Sequence, residues 1–584
     1  MRIRLLALAT LIAATPSSLG AQPSAQPAGR ARAPKDGDGV RRSAQRAQRS
    51  FESLRRANLP VAGPSPSHAC DVQVGRFCYW YDEASPPPPP EPTAIGRARA
   101  RLVATLDSLA ALAPEDEWIA GQRVRYLVEA ARWDDAVSAA ARCDTTPWWC
   151  SALAGLALHA RGDAARADSA FGAALREMPS DERCRWTDLA MLLEGRARDL
   201  WKRHRCTEGD VGAARDSLAA RVWWLAQPFH LRSGNDLRTE HFARRTMARI
   251  ESMAASGYDT PFGRDTEELL IRYGWPTAFT RHVGGPYGTP TTSVTGHEPT
   301  PSFDFLPSAR LVDSSVAAAR NEDWALRRSL ALTRYAPRYL RALVPITAQL
   351  AAFRRGDSSL VVAGVGVPVD TNLADDSLVV GLVVSRAPES GRTSATHRGR
   401  WRGGALAVLV GAGPSLASVE LLAPARHAGG RVRAGVTLPS SVGRLALSDV
   451  LFYAPDSAAP ASVEEALPRV LGAARAPADR RVGVLWETYG LALEGEPVSV
   501  TLTVERVGIG WAERAAQRVG LKSRARPLDV RWTELPDRRS GVAYRALAID
   551  LSHMAAGRYV VRLAVTARDG ARAVSARELQ LDDR

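Results

Sequence analysis

The stretch SALAGLALHARGDAARADSAFGAALREMP, residues 151–179, carries the clearest structural signal in this chain. Its apolar and small residues recur at steps of three and four, which is the spacing of amphipathic helices. Small side chains allow two such helices to cross closely, and the final proline ends the unit. The residues at these spacings are Gly155, Leu158, Gly162, Ala167, Phe171, Ala174 and Pro179.

This spacing resembles the tetratricopeptide repeat, whose unit is a pair of helices. One period earlier, residues 126–143 repeat the second half of the pattern, with Ala131 where glycine is usual. Trp133 and Ala136 follow at the matching places. Residues 183–201 predict a weaker third unit. The resemblance therefore implies two or three consecutive helix pairs.

Helix pairs of this kind cannot bury their apolar faces alone, so they stack and leave a concave surface. The helical periodicity sets in with the segment that begins at Ile95, and we expect an all-α array over residues 98–206. Two functions are open for this array. It binds a peptide on its concave surface, or it only supports the domain that follows.

The first 21 residues have the layout of a secretory signal peptide. A basic start precedes an apolar run from Leu5 to Ala14, and small residues precede a cut near Ala21. An uncleaved anchor is the alternative, since signal and anchor differ mainly in the length of the apolar run. No later stretch reaches the roughly 20 apolar residues of a membrane helix. We expect an exported protein, periplasmic or at the cell surface, without a transmembrane segment after cleavage.

The cysteines agree with export. All six lie between residues 70 and 206, and an even number in an exported chain favours disulfides over free thiols. Pairing of sequence neighbours is the simplest arrangement: Cys70 with Cys78, Cys143 with Cys150, and Cys184 with Cys206. A zinc site of Cys184, His204 and Cys206 is the alternative, although its spacing matches none of the usual Cys-x-x-Cys pairs.

Length and charge exclude some classes of protein. A chain of 584 residues is too long for one core and predicts three or four domains. The net charge of +15 comes mostly from arginines spread along the whole chain, without a basic stripe interleaved with aromatics. We therefore expect no specific binding of nucleic acid. The densest basic cluster, residues 41–56, is interpreted as a solvated, partly helical arm, or else as a contact for an anionic envelope surface or polymer.

Residues 22–97 are interpreted as a linker that carries one disulfide. Residues 22–66 are rich in Ala, Pro, Arg and Ser without lasting periodicity, which favours disorder. The segment SPPPPPEP at 85–92 is typical of a stiff polyproline spacer. The helical array begins directly after it.

The next region combines several unusual features. Residues 221–256 hold an aromatic pair, a proline, the pair Asn235-Asp236 with Glu240 shortly after, and then a basic helix. The segment GRDTEELLIRYGWPTAF at 263–279 adds acidic residues, a run at 269–271 that we interpret as a short strand, and a Tyr-Gly-Trp-Pro turn.

Together these features resemble the GWxTD domain, a family of poorly characterised bacterial proteins that are often exported. The resemblance covers about residues 210–285 and implies a small mixed α/β domain at 207–300. It implies no catalysis, because the family has no accepted reaction. The matching positions are Gly263, Asp265, Tyr273, Gly274 and Pro276. The chain departs from the family motif at PFGRDTEEL, which keeps Gly263 and Asp265 but has no tryptophan.

From its residues alone, apart from the resemblance, the turn is interpreted as a structural element that fixes two pieces of backbone together. Gly274 supplies backbone freedom, Pro276 prevents a helix from continuing, and Tyr273 offers a large surface for packing on a core. Asp265 lies next to Arg264, so ion pairing is a simpler role for it than acid–base catalysis.

Few residues qualify as catalytic. The sequence has no Gly-x-Ser-x-Gly elbow, His-Glu-x-x-His, phosphate-binding glycine loop or calcium-binding acidic loop, and we expect no cofactor and no metal. His230 and His241 flank Asn235-Asp236 and form the one His/carboxylate cluster worth naming. The candidates are Asp236, Glu240, His241 and Asp265.

The C-terminal part changes from helical to strand periodicity. Residues 301–355 are predicted to be a helical connector, a helix pair split at Pro337. Short β-rich runs punctuated by Gly, Pro and Asp then predict an antiparallel β-sandwich at 356–460. A second sandwich is predicted at 461–584, with a hairpin around Asp569-Gly570. In it, Val498, Val500, Leu502 and Val504 alternate with polar neighbours.

Two functions from different classes fit this sequence. The leading hypothesis is a non-enzymatic scaffold of the bacterial envelope that holds a protein or polymer partner through the helical array and the β-sandwiches. The alternative is an envelope hydrolase acting on glycan or peptide, with a site around Asn235, Asp236, Glu240 and Asp265. A deep pocket that gathers these side chains favours the hydrolase, and a packed aromatic core there favours the scaffold. The partner and the oligomeric state stay open.

Overall fold

A computed structural model describes residues 37–61, 70–81, 87–204, 206, 210–258, 260–283, 292–328, 330–367, 373–437, 445–491, 497–507, 528–535 and 542–582. A helical N-terminal region is followed by a region of antiparallel and mixed β-sheets. The predicted signal peptide at 1–21 lies outside the described residues.

The helical region is one layered array with a common apolar core. Its elements are α1 Gly37–Asn58, β1 Val72–Val74, β2 Phe77–Tyr79, α2 Thr93–Leu112, α3 Glu117–Glu129, α4 Trp133–Ala141, α5 Pro147–Arg161, α6 Ala164–Glu177, α7 Ser180–Trp186 and α8 Gly195–Arg203. The tightest crossing is between α5 and α6. A Cβ atom on Gly155 would lie 2.6 Å from the ring of Phe171, so only glycine allows this approach.

Helix α1 corrects the interpretation of residues 37–58 as part of a disordered linker and as a solvated arm. Ala44, Gln48, Phe51 and Arg55 follow one face of this helix and are buried. The polar members of this face find partners inside the array: the Gln48 amide donates to the Tyr126 hydroxyl at 2.9 Å. These partners lie far along the chain. The charged composition of the segment therefore gives no indication that it forms a packed helix.

Helices α9 Asp210–Ala226, α10 Asp236–Ser252 and α11 Arg264–Tyr273 continue the helical region. The predicted strand at 269–271 is wrong, because these residues lie within α11. The Gly263 N–H donates to the Thr266 hydroxyl at 2.6 Å and starts the helix, and Gly274, with φ of 101°, ends it. Strands β3 Ala278–Val283 and β4 Thr292–His297 then form an antiparallel pair.

The predicted helical connector at 301–355 is also wrong. This segment contains the short helix α12 Ala309–Val312, two 3-10 turns, and the strands β5 Ala342–Leu343 and β6 Thr347–Arg355. Long-range contacts set its path over the helices. The backbones of Phe303 and Tyr335 exchange two hydrogen bonds, and the Trp324 indole donates to the Leu225 carbonyl at 2.9 Å.

Two sheets follow and share one apolar core. The three-stranded sheet has the order β10-β7-β6, and the five-stranded sheet has the order β5-β12-β11-β8-β9. The strands are β7 Ser358–Gly366, β8 Leu378–Ser385, β9 Thr393–Gly399, β10 Gly404–Gly411, β11 Ser415–Ala423 and β12 Ala428–Val436. The pairing of β5 with β12 is parallel, and the other pairings in these two sheets are antiparallel.

The last part of the chain again forms two sheets with one core. Strand β15 pairs with β13, β14 and β18, and a second sheet has the order β17-β16-β19-β20. The elements are β13 Ala446–Leu447, β14 Leu451–Tyr453, α13 Val463–Ala466, β15 Arg481–Tyr489, β16 Val498–Val507, β17 Leu528–Glu534, β18 Val542–Asp550, β19 Gly557–Thr566 and β20 Arg572–Leu581. Strands β13 and β14 precede the predicted boundary at 460 but pair with β15 after it.

The four alternating residues predicted from the sequence, Val498, Val500, Leu502 and Val504, all point into the second core. The predicted turn at Asp569-Gly570 joins β19 and β20. Both features depend on nearest neighbours along the chain, and the structure confirms them.

The three predicted disulfides are present: Cys70–Cys78, Cys143–Cys150 and Cys184–Cys206. They fit an exported protein. Because Cys184 and Cys206 are bonded to each other, neither is available for the alternative zinc site. Across the described residues, no cluster of His, Cys, Asp and Glu could hold a metal, and no helix is long and apolar enough to cross a membrane.

A buried polar cluster joins the helical region to the five-stranded sheet. The Arg433 guanidinium on β12 donates to the carbonyls of Leu225 and Gln227 at 2.9 and 2.7 Å. From β11, the Glu420 carboxylate accepts the backbone N–H groups of His230 and Leu231, each at 2.8 Å. Both charged side chains are fully buried, so the loop after α9 is fixed to the sheet.

Candidate functional site

A cleft of about 430 Å³ lies where the helical array meets the segments that follow α11. Its lining comes from α1 to α6, from α10, and from residues around 273–279 and 334–339. This volume suits a ligand of small-molecule size or a few residues of a polymer. The aromatic side chains of the lining are Trp133, Tyr273, Trp275, Phe279, Tyr335 and Tyr339.

Helix α10 supplies the central charged row of the cleft. Its first turn is capped by Asn235, whose side chain accepts the Arg238 N–H at 3.1 Å. Asp236, Glu240 and Arg244 then follow at intervals of four, so all three lie on one face of the helix. The cap and the four-residue spacing therefore aim two carboxyl groups and one guanidinium at the cleft.

Glu240 is held on both of its oxygens. His159 Nε2 lies 2.6 Å from Oε2, and the Arg244 Nε–H donates to Oε1 at 2.6 Å. Burial raises the pKa of Glu240, but Arg244 and His159 together outweigh burial and hold that pKa at about 2. Arg244 also donates to the carbonyl oxygens of Ile271 and Arg272. The pair therefore connects α10 to the end of α11.

Asp236 has the opposite electrostatic environment. Burial raises its pKa above the ordinary value, although the Tyr339 hydroxyl donates to Oδ2 at 2.6 Å and favours the ionised form. One helix face therefore carries a carboxyl group that retains its proton more readily and another, Glu240, that stays ionised. Such a separation of pKa values is used by acid–base catalysts, and it also arises in structural ion pairs.

Two of the predicted candidates do not reach the cleft lining. Asp265 forms an ion pair with Arg76 of the β1–β2 hairpin, at 2.8 Å between Nη2 and Oδ1, and this hydrogen-bonded pair lowers the pKa of Asp265. His241 lies 3.0 Å from the Trp186 carbonyl through Nε2 and packs against Trp223. Burial lowers the pKa of His241 well below its usual value, so it is neutral at pH 7. Of the four candidates, only Asp236 and Glu240 line this cleft.

The sequence does not indicate His159 and Tyr339, the residues that bond to these two carboxyl groups. His159 lies in the repeat stretch, directly after Leu158, and its role depends on α10 about 80 residues later. Tyr339 belongs to the segment RYAPRY at 334–339, where the dipeptide Arg-Tyr occurs twice. The contact of Tyr339 with Asp236 joins residues 103 positions apart, so it has no local signal in the sequence.

The turn at 273–276 is a packed element as well as a wall of the cleft. The ring of Tyr273 stacks on Tyr79 at 3.8 Å between centroids, and its hydroxyl donates to the Ala331 carbonyl at 3.3 Å. Gly274 donates its N–H to the Leu270 carbonyl at 2.8 Å. These contacts join the β1–β2 hairpin, α11 and the segment near residue 331.

Comparisons with known proteins add little. No family model and no curated protein matches the chain. Among solved structures, the crystal structure of a beta-glucuronidase from Bacteroides uniformis aligns with 38% of this chain at 7% sequence identity and a TM-score of 0.14. The alignment covers 26% of that enzyme's chain. Similarity at this level says nothing about the fold or the activity of this chain.

Proposed function

We propose that this chain is an exported, non-enzymatic scaffold of the bacterial envelope that holds a protein or polymer partner, in the periplasm or at the cell surface. The observation that carries this proposal is the cleft at the end of the helical array, in which most carboxylates are already engaged by arginines. The tetratricopeptide-like and GWxTD-like assignments, and the two sandwich-like modules, belong to the same proposal.

The state of the charged groups favours binding over catalysis. Glu240 is bonded on both oxygens, and Glu129 pairs with Arg55 and Arg125 at 2.5 and 2.8 Å. A carboxylate held in this way stabilises the walls of the cleft and has no open position for a substrate proton. The cleft is therefore a rigid, preformed surface, which suits a partner-binding protein.

The test uses the full mature chain, because α1 and α10 pack on the helices that a deletion would remove. Ala336 lines the cleft, so Ala336→Trp fills it, and Ala104→Trp on the exposed face of α2 is the matched control. In a pull-down from envelope extract, we expect the wild type and Ala104→Trp to capture the same partner and Ala336→Trp to lose it. Equal capture by all three proteins contradicts a role for the cleft.

A hydrolase remains the second candidate, on one specific observation. Asp236 and Glu240 share the cleft and have pKa values shifted in opposite directions. In a hydrolase of glycan or peptide, Asp236 would be the proton donor. The scaffold proposal expects no turnover of peptidoglycan or envelope peptides by the wild type. Turnover that disappears in a folded Asp236→Asn variant would reverse the order of the two proposals.

A further inference from the structure

The charges that line the cleft do not cancel. Its arginines are Arg55, Arg99, Arg232, Arg244, Arg334 and Arg338, and its carboxyl groups are Glu91, Glu129, Asp236 and Glu240. Three of these carboxylates form ion pairs with three of these arginines: Glu129 with Arg55, Glu91 with Arg99, and Glu240 with Arg244. Of the other three arginines, Arg334 lies over the ring of Tyr81. Arg232 and Arg338 are left with Asp236 as the one further carboxyl group of the described lining, so this end of the cleft has a surplus of positive charge.

Two guanidinium groups at this end are held in place by aromatic rings. The Cζ atom of Arg232 lies 3.9 Å from the ring centroid of Tyr339, and that of Arg338 lies 3.6 Å from the ring centroid of Trp133. In the described part of the chain, no hydrogen bond or ion pair engages the Arg232 guanidinium. Arg338 is exposed and donates from Nη1 to the Ala160 carbonyl at 2.6 Å. Both groups therefore retain N–H donors for a ligand.

Stacking of this kind orders an arginine without consuming its charge. A planar guanidinium fixed on a ring presents its N–H groups in a fork that matches the two oxygens of a carboxylate. Asp236 Oδ2 accepts the Tyr339 hydroxyl, and among the described residues Asp236 forms no ion pair within 4 Å with Arg232 or Arg338. This end of the cleft is thus ordered and cationic, with donors available.

The same contacts disfavour a sugar as the occupant. Sugar rings need open aromatic faces and polar acceptors, but one face of Trp133 and of Tyr339 is covered by an arginine, and Tyr273 is stacked on Tyr79. Three of the four carboxylates are also paired already. Trp275 and Pro276 provide an apolar wall beside the charged end. An apolar chain that ends in, or carries, a carboxylate matches this arrangement.

We propose that Arg232 and Arg338 form a carboxylate-binding site for a peptide, with Tyr339 and Trp133 as the positioning residues. The carboxylate is either the C-terminus of the peptide or an Asp or Glu side chain. The proposal rests on the proposed function, since it names the group by which the partner enters the cleft.

The experiment uses the mature chain with three pools of hexapeptides. The first pool has free C-termini and no acidic residues, the second is amidated with one Glu, and the third is amidated without acidic residues. Binding is measured by titration calorimetry for the wild type, Arg232→Gln, Arg338→Gln and Arg398→Gln. Arg398 lies exposed on β9, outside the cleft lining, and is the matched control.

We expect the wild type and Arg398→Gln to bind the first or second pool and to bind the third at least about tenfold more weakly. The pool that binds identifies the source of the carboxylate. Each cleft variant should lose about tenfold to a hundredfold in affinity, the effect of one charge-assisted hydrogen-bonded contact. Arg338→Lys keeps the charge but not the fork, so it should recover only part of the loss.

Where the wild type binds at least one pool, two results would overturn the carboxylate site. One is equal binding of all three pools, and the other is unchanged affinity in both arginine variants. In either case the proposed function survives if Ala336→Trp still blocks capture of the envelope partner. If no pool binds the wild type, the carboxylate site is also rejected, and the pull-down alone decides on the scaffold. Urea midpoints show whether each variant folds. If Arg232→Gln does not fold, the Arg338→Gln variant decides on the carboxylate site, because Arg338 is exposed.

Discussion

Glu240 shows at the scale of one residue how a buried charge is retained in this protein. Its native pKa of about 2 lies below the ordinary value of 4.5, so the native state binds this proton more weakly than the unfolded state. Stability from this group is therefore fully present above pH 4.5 and is lost as the pH falls from 4.5 towards 2. The shift corresponds to about 3 kcal/mol.

We predict that Glu240→Gln lowers the free energy of unfolding at pH 7 by about 3–5 kcal/mol, because Arg244 and His159 lose a buried partner. The difference between the wild type and the variant should shrink as the pH falls below 4.5. Urea denaturation at a series of pH values measures it. A difference that stays constant down to pH 2 would show that the ion pair does not account for the stability.

Asp236 should behave in the opposite way. Its raised native pKa means that ionisation costs stability, and that cost grows as the pH rises through the raised pKa. We predict that Asp236→Asn, which keeps an acceptor for the Tyr339 hydroxyl, changes the unfolding free energy at pH 7 by less than about 1 kcal/mol, in the stabilising direction. The same urea series tests this, and clear destabilisation would show that the charge supports the fold.

At the scale of elements, the contact of Gly155 on α5 with Phe171 on α6 is the critical point of the helical array. We predict that Gly155→Ala lowers the free energy of unfolding by about 1–3 kcal/mol, because the new Cβ overlaps the ring of Phe171 and separates the two helices. Gly172→Ala on α6 is the matched control, since its Cβ would meet only the end of Arg176 at 3.5 Å.

The control variant Gly172→Ala should have a free energy of unfolding up to about 1 kcal/mol higher than the wild type, because alanine has the higher helix propensity. Urea midpoints of the two variants and the wild type decide between packing and propensity. Equal shifts in both variants would contradict a close crossing at residue 155. Partial recovery in a Gly155→Ala, Phe171→Leu double variant would place the strain at this contact.

Elements set by local pattern could be predicted from the sequence, and elements set by distant partners could not. The α5–α6 pair and the strand β16 follow the helical and alternating periods of their own residues. The run at 269–271 fits a strand or a helix equally well, and the cap at Thr266 selects the helix. Contacts with α9, α11 and the five-stranded sheet set the path of the segment 301–341. The local sequence does not indicate these contacts.

The residues of the candidate site form the same two groups, those that a local pattern predicts and those that depend on distant partners. Asp236 and Glu240 could be found because a helix places residues four apart on one face. His159, Arg232, Arg338 and Tyr339 could not be joined to them, since the chain brings them together from separate elements. Asp265 was a reasonable candidate on local grounds, but its partner Arg76 is 189 residues away.

On the scale of the whole molecule, the Arg433–Glu420 cluster makes the helical region and the sheets depend on each other. We predict that Arg433→Ala lowers the free energy of unfolding by about 3–5 kcal/mol, because it leaves Glu420 and the three backbone carbonyls of Leu225, Gln227 and Pro228 buried with fewer donors. Calorimetry should then resolve separate transitions for the two regions. Arg398→Ala, at an exposed site on β9, is the control and should melt like the wild type.

A single transition of unchanged midpoint in Arg433→Ala would show that apolar contacts alone join the regions. Hydrogen exchange at residues 225–231 gives an independent measurement. These amides should exchange faster in Arg433→Ala than in the wild type, because the loop loses its attachment to the sheet.

The packing of the N-terminal segment also sets an order in time. Gln48, Arg76 and Tyr81 bond to residues 207, 189 and 250 positions later in the chain. At about 5–20 residues per second, those partners are synthesised tens of seconds after the N-terminal segment. Once the segment has entered an oxidising compartment, the bond between Cys70 and Cys78 needs no distant partner and can form before these contacts. Oxidation can thus shape the hairpin first, and docking of the N-terminal segment onto residues from the middle of the chain completes this face of the molecule.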